Sequence, residues 1–161
     1  MFGLNSDHSV SGTATAIINK PIEDVFNFIG VGFFENYPRW SPEVIECVLL
    51  TEPPLQLNSV VRQVRVDHGQ RSESTFKVTS FEPKRYLIFE GISNAYRCSF
   101  DFQTASLDTQ TKITFTFELL ELELFMIPFE KLIRAAIREG AARTVRNLKR
   151  LVGQCYCSLA S

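Results

Sequence analysis

Six segments with strand-like patterns follow one another through the middle of the chain, and their order constrains the fold more than any other feature. The segments are Val44–Thr51, Ser59–Val66, Arg71–Thr79, Arg85–Gly91, Ala95–Gln103 and Lys112–Leu119. Short stretches rich in turn-forming residues, such as "DHGQ" and "LDTQ", separate them. Because loops this short join neighbouring antiparallel strands, the sequence predicts an antiparallel meander.

Another strand and two short helices are expected before this meander. Thr13–Asn19 is short and rich in β-branched residues, which favours a strand. A helix is expected from Pro21 to Gly30, because proline suits the first helical position and glycine commonly ends a helix. A second short helix is expected over residues 31–37, stopping before Pro38.

A long amphipathic helix is expected to close the fold, beginning near Pro128. Apolar and small residues recur on one side of it at about 100° per residue. They are Phe129, Ile133, Ala136, Ile137, Gly140, Ala141, Thr144, Leu148 and Leu151. Its other side is basic and carries Lys131, Arg134, Arg138, Arg143, Arg146, Lys149 and Arg150.

Length and composition indicate one globular domain. The 161 residues are enough for a single sizeable core, and we expect flexible tails at residues 1–12 and 154–161 around a domain at 13–153. The net charge of −1 gives no pull toward nucleic acid. The longest apolar stretch, Leu124–Phe129, is far shorter than the about 20 residues that span a bilayer. Four scattered cysteines favour free thiols in a reducing cytoplasm.

Three stretches resemble the helix-grip fold of the SRPBCC superfamily, which includes Bet v 1-like, START-like and polyketide cyclase/dehydrase proteins. They are "INKPIEDVFNFIG" near the start, "YPRWSPEV" at a corner, and "FKVTSFEPKRYLIFEG" in mid-chain. Trp40, Pro42, Phe81 and Pro83 match the Trp-x-Pro corner and the Phe-x-Pro turn of that family. Many members carry a Gly-Thr pair leading into the last strand, where this chain has "DTQTKITF".

The resemblance implies an α+β fold in which a curved antiparallel sheet of about seven strands wraps around the long C-terminal helix. It also implies an apolar pocket between sheet and helix that binds a small hydrophobic molecule such as a lipid, an isoprenoid quinone or a polyketide-like aromatic. No particular chemistry follows, because related folds host unrelated functions. A non-enzymatic carrier or sensor is the leading hypothesis. An aromatase/cyclase-like enzyme and a partner-binding module are the alternatives.

Strand parity indicates which side chains would line this pocket. Alternate residues of a strand share a face, so Tyr96, Cys98 and Phe100 point one way, as do Phe115 and Phe117 on the last strand. Plain core packing is the competing interpretation for all of them. The candidate ligand-binding residues are Phe34, Tyr37, Trp40, Phe76, Val78, Tyr96, Cys98, Phe100, Phe115, Phe117, Phe129, Ile133 and Ile137.

Trp40, the single tryptophan, lies between Pro38 and Pro42. Proline restricts the backbone on both sides of it and makes this a stiff corner. We expect Trp40 chiefly to plug the open end of the sheet by packing. Contact with a ligand at the pocket mouth is the alternative.

Groups that could carry catalysis or a metal are few. His8 and His68 fit no Ser-His-Asp or Cys-His arrangement, and Cys155 with Cys157 offers only two of the three or four ligands that a metal needs. We therefore predict no catalytic residue, no metal site and no cofactor. An enzyme would have to use Tyr96, Glu90 or inward-facing serines such as Ser74.

The basic side of the closing helix suggests one further contact. Between Lys131 and Arg150 seven basic residues stand against Glu139 alone. We expect mainly a solvated face, with weak contact to an anionic membrane as the functional alternative.

Overall fold

The computed structural model of the protein describes residues 9–154, and within that range it contains seven strands and three α-helices. The strands are β1 (Val10–Ile18), β2 (Val44–Leu49), β3 (Val60–Asp67), β4 (Gln70–Glu82), β5 (Tyr86–Gly91), β6 (Tyr96–Thr104) and β7 (Thr111–Leu119). The helices are α1 (Ile22–Phe26), α2 (Phe33–Trp40) and α3 (Glu130–Gln154). A π-helical turn, Asn27–Val31, joins α1 to α2, and a 3₁₀ turn, Leu124–Phe129, precedes α3.

The strands form one antiparallel sheet in the order β1-β7-β6-β5-β4-β3-β2. From β2 to β7 each strand pairs with the next along the chain, so the predicted meander is confirmed. The first strand closes the order by pairing with the last, from Val10 opposite Leu119 to Ile18 opposite Thr111. Strand β1 therefore begins at Val10 and not at Thr13 as the sequence predicted, because its pairing with β7 extends over the earlier residues.

Alternation along the strands separates a concave apolar face from a convex polar face. On β6, Cys98 and Phe100 are buried against the core, whereas Arg97 points to the other side. There its guanidinium pairs with Glu90 at 3.4 Å and with Glu118 at 3.0 Å. Breaks in strand register in β2 and β4 are of the kind that bends a sheet. The predicted helix-grip architecture is confirmed.

Helix α2 continues through Pro38 and ends at Trp40, so the prediction that it stops before Pro38 is wrong. Proline in a helix removes one backbone hydrogen bond, but here only two residues follow it. Phe33, Tyr37 and Trp40 are all buried on one side of α2. Packing of this aromatic stripe stabilises the last turn despite the proline.

Helix α3 begins at Glu130, two residues after the predicted start at Pro128. Pro128 and Phe129 belong instead to the 3₁₀ turn, which has about 3.0 residues per turn in place of 3.6. Residues in this turn do not follow the 100° phase of α3, and the Phe129 side chain is 57% exposed. The buried side of α3 also includes Val145 and Val152, which the helical pattern in the sequence did not assign to it.

Two groups of residues singled out from the sequence lie outside the described range. His8 lies in residues 1–8, and Cys155 and Cys157 lie in residues 155–161. Most of the two expected tails falls in the same segments.

Candidate functional site

A partly open cavity of about 440 Å³ lies between the concave face of the sheet and α3. Its apolar wall combines side chains from α2, β5, β6, β7 and α3, which the wrapping of the sheet around α3 brings together. Eight of the candidate ligand-binding residues line it: Tyr37, Trp40, Tyr96, Cys98, Phe100, Phe115, Phe117 and Ile137. Their role in binding stays a prediction, because lining a cavity is not by itself contact with a ligand.

The other five candidates do not line this cavity. Phe76 and Val78 are fully buried beneath it, and the Phe76 ring stacks on Phe89 with centroids 4.3 Å apart. Phe34 packs against the core from α2. Ile133 is half-buried one turn before Ile137, and Phe129 is exposed because it lies in the 3₁₀ turn.

Aromatic rings close the buried end of the cavity. Trp40 is only 2% exposed, and its ring contacts Phe33 at 5.9 Å, Tyr37 at 5.5 Å and Phe100 at 6.0 Å between centroids. Its backbone carbonyl accepts a hydrogen bond of 3.0 Å from the Asn147 side chain on α3. Trp40 therefore packs as a plug and also presents part of its ring to the cavity.

A network of uncharged polar side chains crosses the wall formed by β3, β4 and β6. The Tyr37 hydroxyl donates to Gln63 Oε1 at 3.0 Å. Gln63 Nε2 donates to the Tyr96 hydroxyl at 3.2 Å and to Ser74 Oγ at 3.3 Å. All four residues line the cavity, so a ligand there meets hydrogen-bonding groups within an otherwise apolar surface.

Burial keeps the titratable groups of this wall protonated. Burial raises the pKa of Tyr96 to about 12 and that of the Cys98 thiol to about 12. The pKa of Tyr37 is raised further, also mainly by burial. Near neutral pH the phenols therefore act as uncharged hydrogen-bonding groups, and the thiol is not a nucleophilic thiolate.

Charged side chains occur at the rim, where each one has an ionic partner. Arg65 binds Asp67 through two hydrogen bonds of 3.1 Å and lies 3.8 Å from Glu43. Arg143 of α3 lies 3.6 Å from the other carboxylate oxygen of Glu43. Glu73 pairs with Arg62. Within the described part of the chain, the rim thus offers no unpaired charge to an ionised ligand.

The sequence does not single out Gln63 and Arg65, because the valines Val60, Val64 and Val66 lie on the other face of β3. Gln63 and Arg65 alternate with Arg62 and Val64 on β3 and share the face of Val61, which is fully buried. That parity places them beside the inward serines of β4. Polar residues on a concave face run against the usual alternation, and only the structure shows that these two line the cavity.

Glu90, considered as a pocket carboxylate from the sequence, does not face the cavity. Its carboxylate accepts a hydrogen bond from Thr79 at 3.2 Å and pairs with Arg97 on the convex face. Its neighbour Phe89 is the residue of β5 that lines the cavity. Glu118 also lies on the convex side, bound to Arg97.

Residues 9–154 contain no group of three or more His, Cys, Asp or Glu side chains placed to hold a metal ion. The absence of a metal or cofactor in the functioning protein stays a prediction. No helix in that range is long and apolar enough to cross a membrane.

Comparison with known proteins identifies the family. The family model described as polyketide cyclase/dehydrase and lipid transport matches residues 9–153, whereas no curated protein sequence matches the chain. Among solved structures, the Zhui aromatase/cyclase from Streptomyces sp. R1128 has a TM-score of 0.76 at 13% identity, covering 92% of this chain and 96% of that one.

Two further structures share the fold at similar distance. The protein TTHA0849 of Thermus thermophilus has a TM-score of 0.71 at 16% identity, covering 88% of this chain and 96% of its own. The major latex-like protein 151 of Panax ginseng has a TM-score of 0.66 at 12% identity over 88% and 96% of the two chains. The solved structures establish the fold, and the match over residues 9–153 shows that the chain belongs to the polyketide cyclase/dehydrase and lipid transport family.

Proposed function

We propose that the protein binds and carries a small hydrophobic ligand in the cavity between the sheet and α3. The observation that carries this proposal is a cavity of about 440 Å³ with a mainly aromatic and aliphatic wall. Ligand sites are typically concave, mostly apolar clefts of about 300–1,000 Å³ with a few placed polar groups. A lipid chain, an isoprenoid quinone or a polyketide-like aromatic has the required apolar character.

Gly140 supplies a sharp test because it lines the cavity from α3. A Cβ added at Gly140 meets no atom within 4 Å, so a leucine there has room and occupies part of the cavity. Replacing glycine in a helix also removes a cost of about 1 kcal/mol, so folding is not expected to suffer. The matched control is Gly153→Leu, where an added Cβ likewise meets nothing within 4 Å but the cavity lies elsewhere.

The measurement is titration with N-phenyl-1-naphthylamine, an uncharged apolar fluorophore. We expect the wild-type protein and Gly153→Leu to bind it equally. Gly140→Leu is expected to bind about tenfold more weakly, a loss of about 1.4 kcal/mol. Absence of binding by the wild-type protein, or equal binding by both variants, contradicts the carrier proposal.

A catalytic role on a polyketide-type substrate is the second candidate, and the convergence of the Tyr96 and Ser74 hydroxyls on the cavity favours it. The Zhui structure that shares this fold is named as an aromatase/cyclase. A carrier needs no proton transfer, so Tyr96→Phe leaves the affinity within about tenfold. An enzyme that uses the Tyr96 proton instead loses about 10²–10⁴-fold in turnover while still binding its substrate.

A further inference from the structure

The network of Tyr37, Gln63, Ser74 and Tyr96 contains more donor protons than its own contacts can use. Each hydroxyl carries one proton and the Gln63 amide carries two, which makes five. The hydrogen bonds are Tyr37 with Gln63, Gln63 with Ser74, and Gln63 with Tyr96. These three bonds use three protons. The Ser74 and Tyr96 hydroxyls can share one more between them, so at least one proton is left over.

This count holds for the amide orientation in the structure, in which Gln63 Oε1 accepts from Tyr37 and Nε2 donates to Ser74 and Tyr96. The opposite orientation would leave the hydroxyl proton of the buried Tyr37 and one Nε2 proton without an acceptor, so burial favours the orientation in the structure. Whether Ser74 donates to Tyr96 or Tyr96 donates to Ser74, the other hydroxyl keeps its proton. No further acceptor for either hydroxyl occurs among residues 9–154.

The unused proton faces the cavity, because Ser74 and Tyr96 both line it. Without a ligand, water can accept this proton through the open side. A pure hydrocarbon that fills the cavity displaces such water without replacing its hydrogen bond, which lowers affinity. A ligand with an acceptor oxygen at this position replaces the water without that loss.

The surroundings favour an uncharged acceptor over an anion. The rim arginines, Arg65 and Arg143, are already paired with Glu43 and Asp67, so neither of them is free to compensate a carboxylate. Burying an uncompensated charge is costly. The raised pKa values of Tyr37 and Tyr96 reflect the same weakly solvated environment.

We propose that the ligand is an apolar molecule bearing a neutral carbonyl oxygen, which accepts the unused hydroxyl proton of the Ser74–Tyr96 pair. This inference rests on the proposed carrier function and narrows its ligand class. The carbonyl supplies the missing acceptor, while the aromatic end around Trp40 and Phe100 packs on the apolar part of the ligand.

The test compares fluorene with 9-fluorenone, two planar molecules of nearly the same shape that differ by one carbonyl. The measured quantity is the ratio of their dissociation constants in each protein, so that differences in water solubility cancel between variants. Gln63→Glu removes one proton if the new carboxyl group is protonated and two if it is ionised, so that in both cases the network can use every hydroxyl proton. We expect it to reduce the preference for 9-fluorenone by about 3- to 10-fold.

Two further variants show whether the effect of Gln63→Glu comes from the number of donor protons or only from a structural role of Gln63. Gln63→Met has similar length but leaves hydroxyl protons unpaired, so it is expected to keep the preference for 9-fluorenone. Gln103→Glu makes the same chemical change on β6, on the face opposite to Tyr96 and the cavity. It is expected to leave the ratio of dissociation constants unchanged. Equal loss of preference in Gln63→Met and Gln63→Glu overturns the proton argument.

Infrared spectroscopy of bound 9-fluorenone tests the same inference with the wild-type protein alone, so it does not depend on whether the variants fold. A carbonyl that accepts a hydrogen bond absorbs at lower frequency than the same carbonyl in hexane, and we expect this shift. A band at the hexane position, or a fluorene to 9-fluorenone ratio unaffected by Gln63→Glu, overturns the carbonyl inference. If neither compound nor the naphthylamine probe binds, it is the carrier function itself that fails.

Discussion

The two ends of the cavity use similar aromatic residues in different settings. At one end Trp40, Phe89 and Phe100 are at most 2% exposed and contact several other rings. At the other end Tyr96 and Phe117 are only partly buried, and their rings stack on each other with centroids 5.8 Å apart. Strand register separates the ends, since Phe100 lies opposite Phe115 on β7, whereas Tyr96 lies opposite Leu119.

From this difference we expect substitutions at the buried end to affect mainly stability and substitutions at the open end to affect mainly binding. A ring surrounded by other rings has little freedom to move, and its removal leaves a hole that neighbours fill incompletely. A ring that borders open space loses fewer contacts when it is removed. We expect the effects of substitution to follow this order along the cavity.

The largest effect is expected for Trp40→Ala at the buried end. Loss of a buried aromatic side chain costs about 3–5 kcal/mol in the free energy of unfolding, with or without ligand. Chemical denaturation measures this loss, and a parallel probe titration reports on binding. A cost below about 1 kcal/mol, together with faster ligand release, would show that Trp40 acts at the pocket mouth and not as a plug.

A smaller effect on stability is expected for Phe117→Ala at the open end. The side chain is partly buried and its main aromatic contact is Tyr96, so the variant is expected to lose about 1–2 kcal/mol. The enlarged cavity should still bind the naphthylamine probe. A loss as great as that of Trp40→Ala would place Phe117 in solid core and remove the distinction between the two ends.

The smallest effect is the one expected near neutral pH from Cys98 and Tyr96, two titratable groups that line the cavity. Burial raises the pKa of both to about 12 from reference values of 9.0 and 10.0. A raised folded-state pKa contributes stability below the reference value that is lost as pH rises through the folded value. Titration of these two groups should therefore leave probe affinity and unfolding free energy nearly constant from about pH 6 to 8. The unfolding free energy should then fall between about pH 9 and 12.

The pH prediction has a matched control. Tyr86→Phe alters a phenol on β5 whose neighbours Leu87 and Phe89 face the core, so it should leave the alkaline loss of stability in place. Tyr96→Phe should reduce that loss. A fall in stability that is the same in both variants would mean that Tyr96 does not contribute to the alkaline loss.

Local sequence patterns were sufficient to predict the order of the elements and the meander, whereas the wrapping of the sheet around the last helix was implied by the family resemblance. Short turns between six strand-like segments leave a meander as the simple solution, and the pairing from β2 to β7 confirms it. Alternation within β6 and β7 correctly placed Tyr96, Cys98, Phe100, Phe115 and Phe117 on the cavity side, because side chains of a strand alternate regardless of what packs against it.

Where local rules compete with packing, only the tertiary structure decided the outcome. Pro38 is retained inside α2 because Phe33, Tyr37 and Trp40 are buried together. Phe129 is excluded from the cavity because a 3₁₀ turn changes the helical phase before α3. Gln63 lies more than twenty residues from Tyr37 and more than thirty from Tyr96 along the chain. Their network, and the proton it leaves unused, exists only because the curved sheet brings β3, β6 and α2 around one cavity, and local periodicity carries no information about such distant contacts.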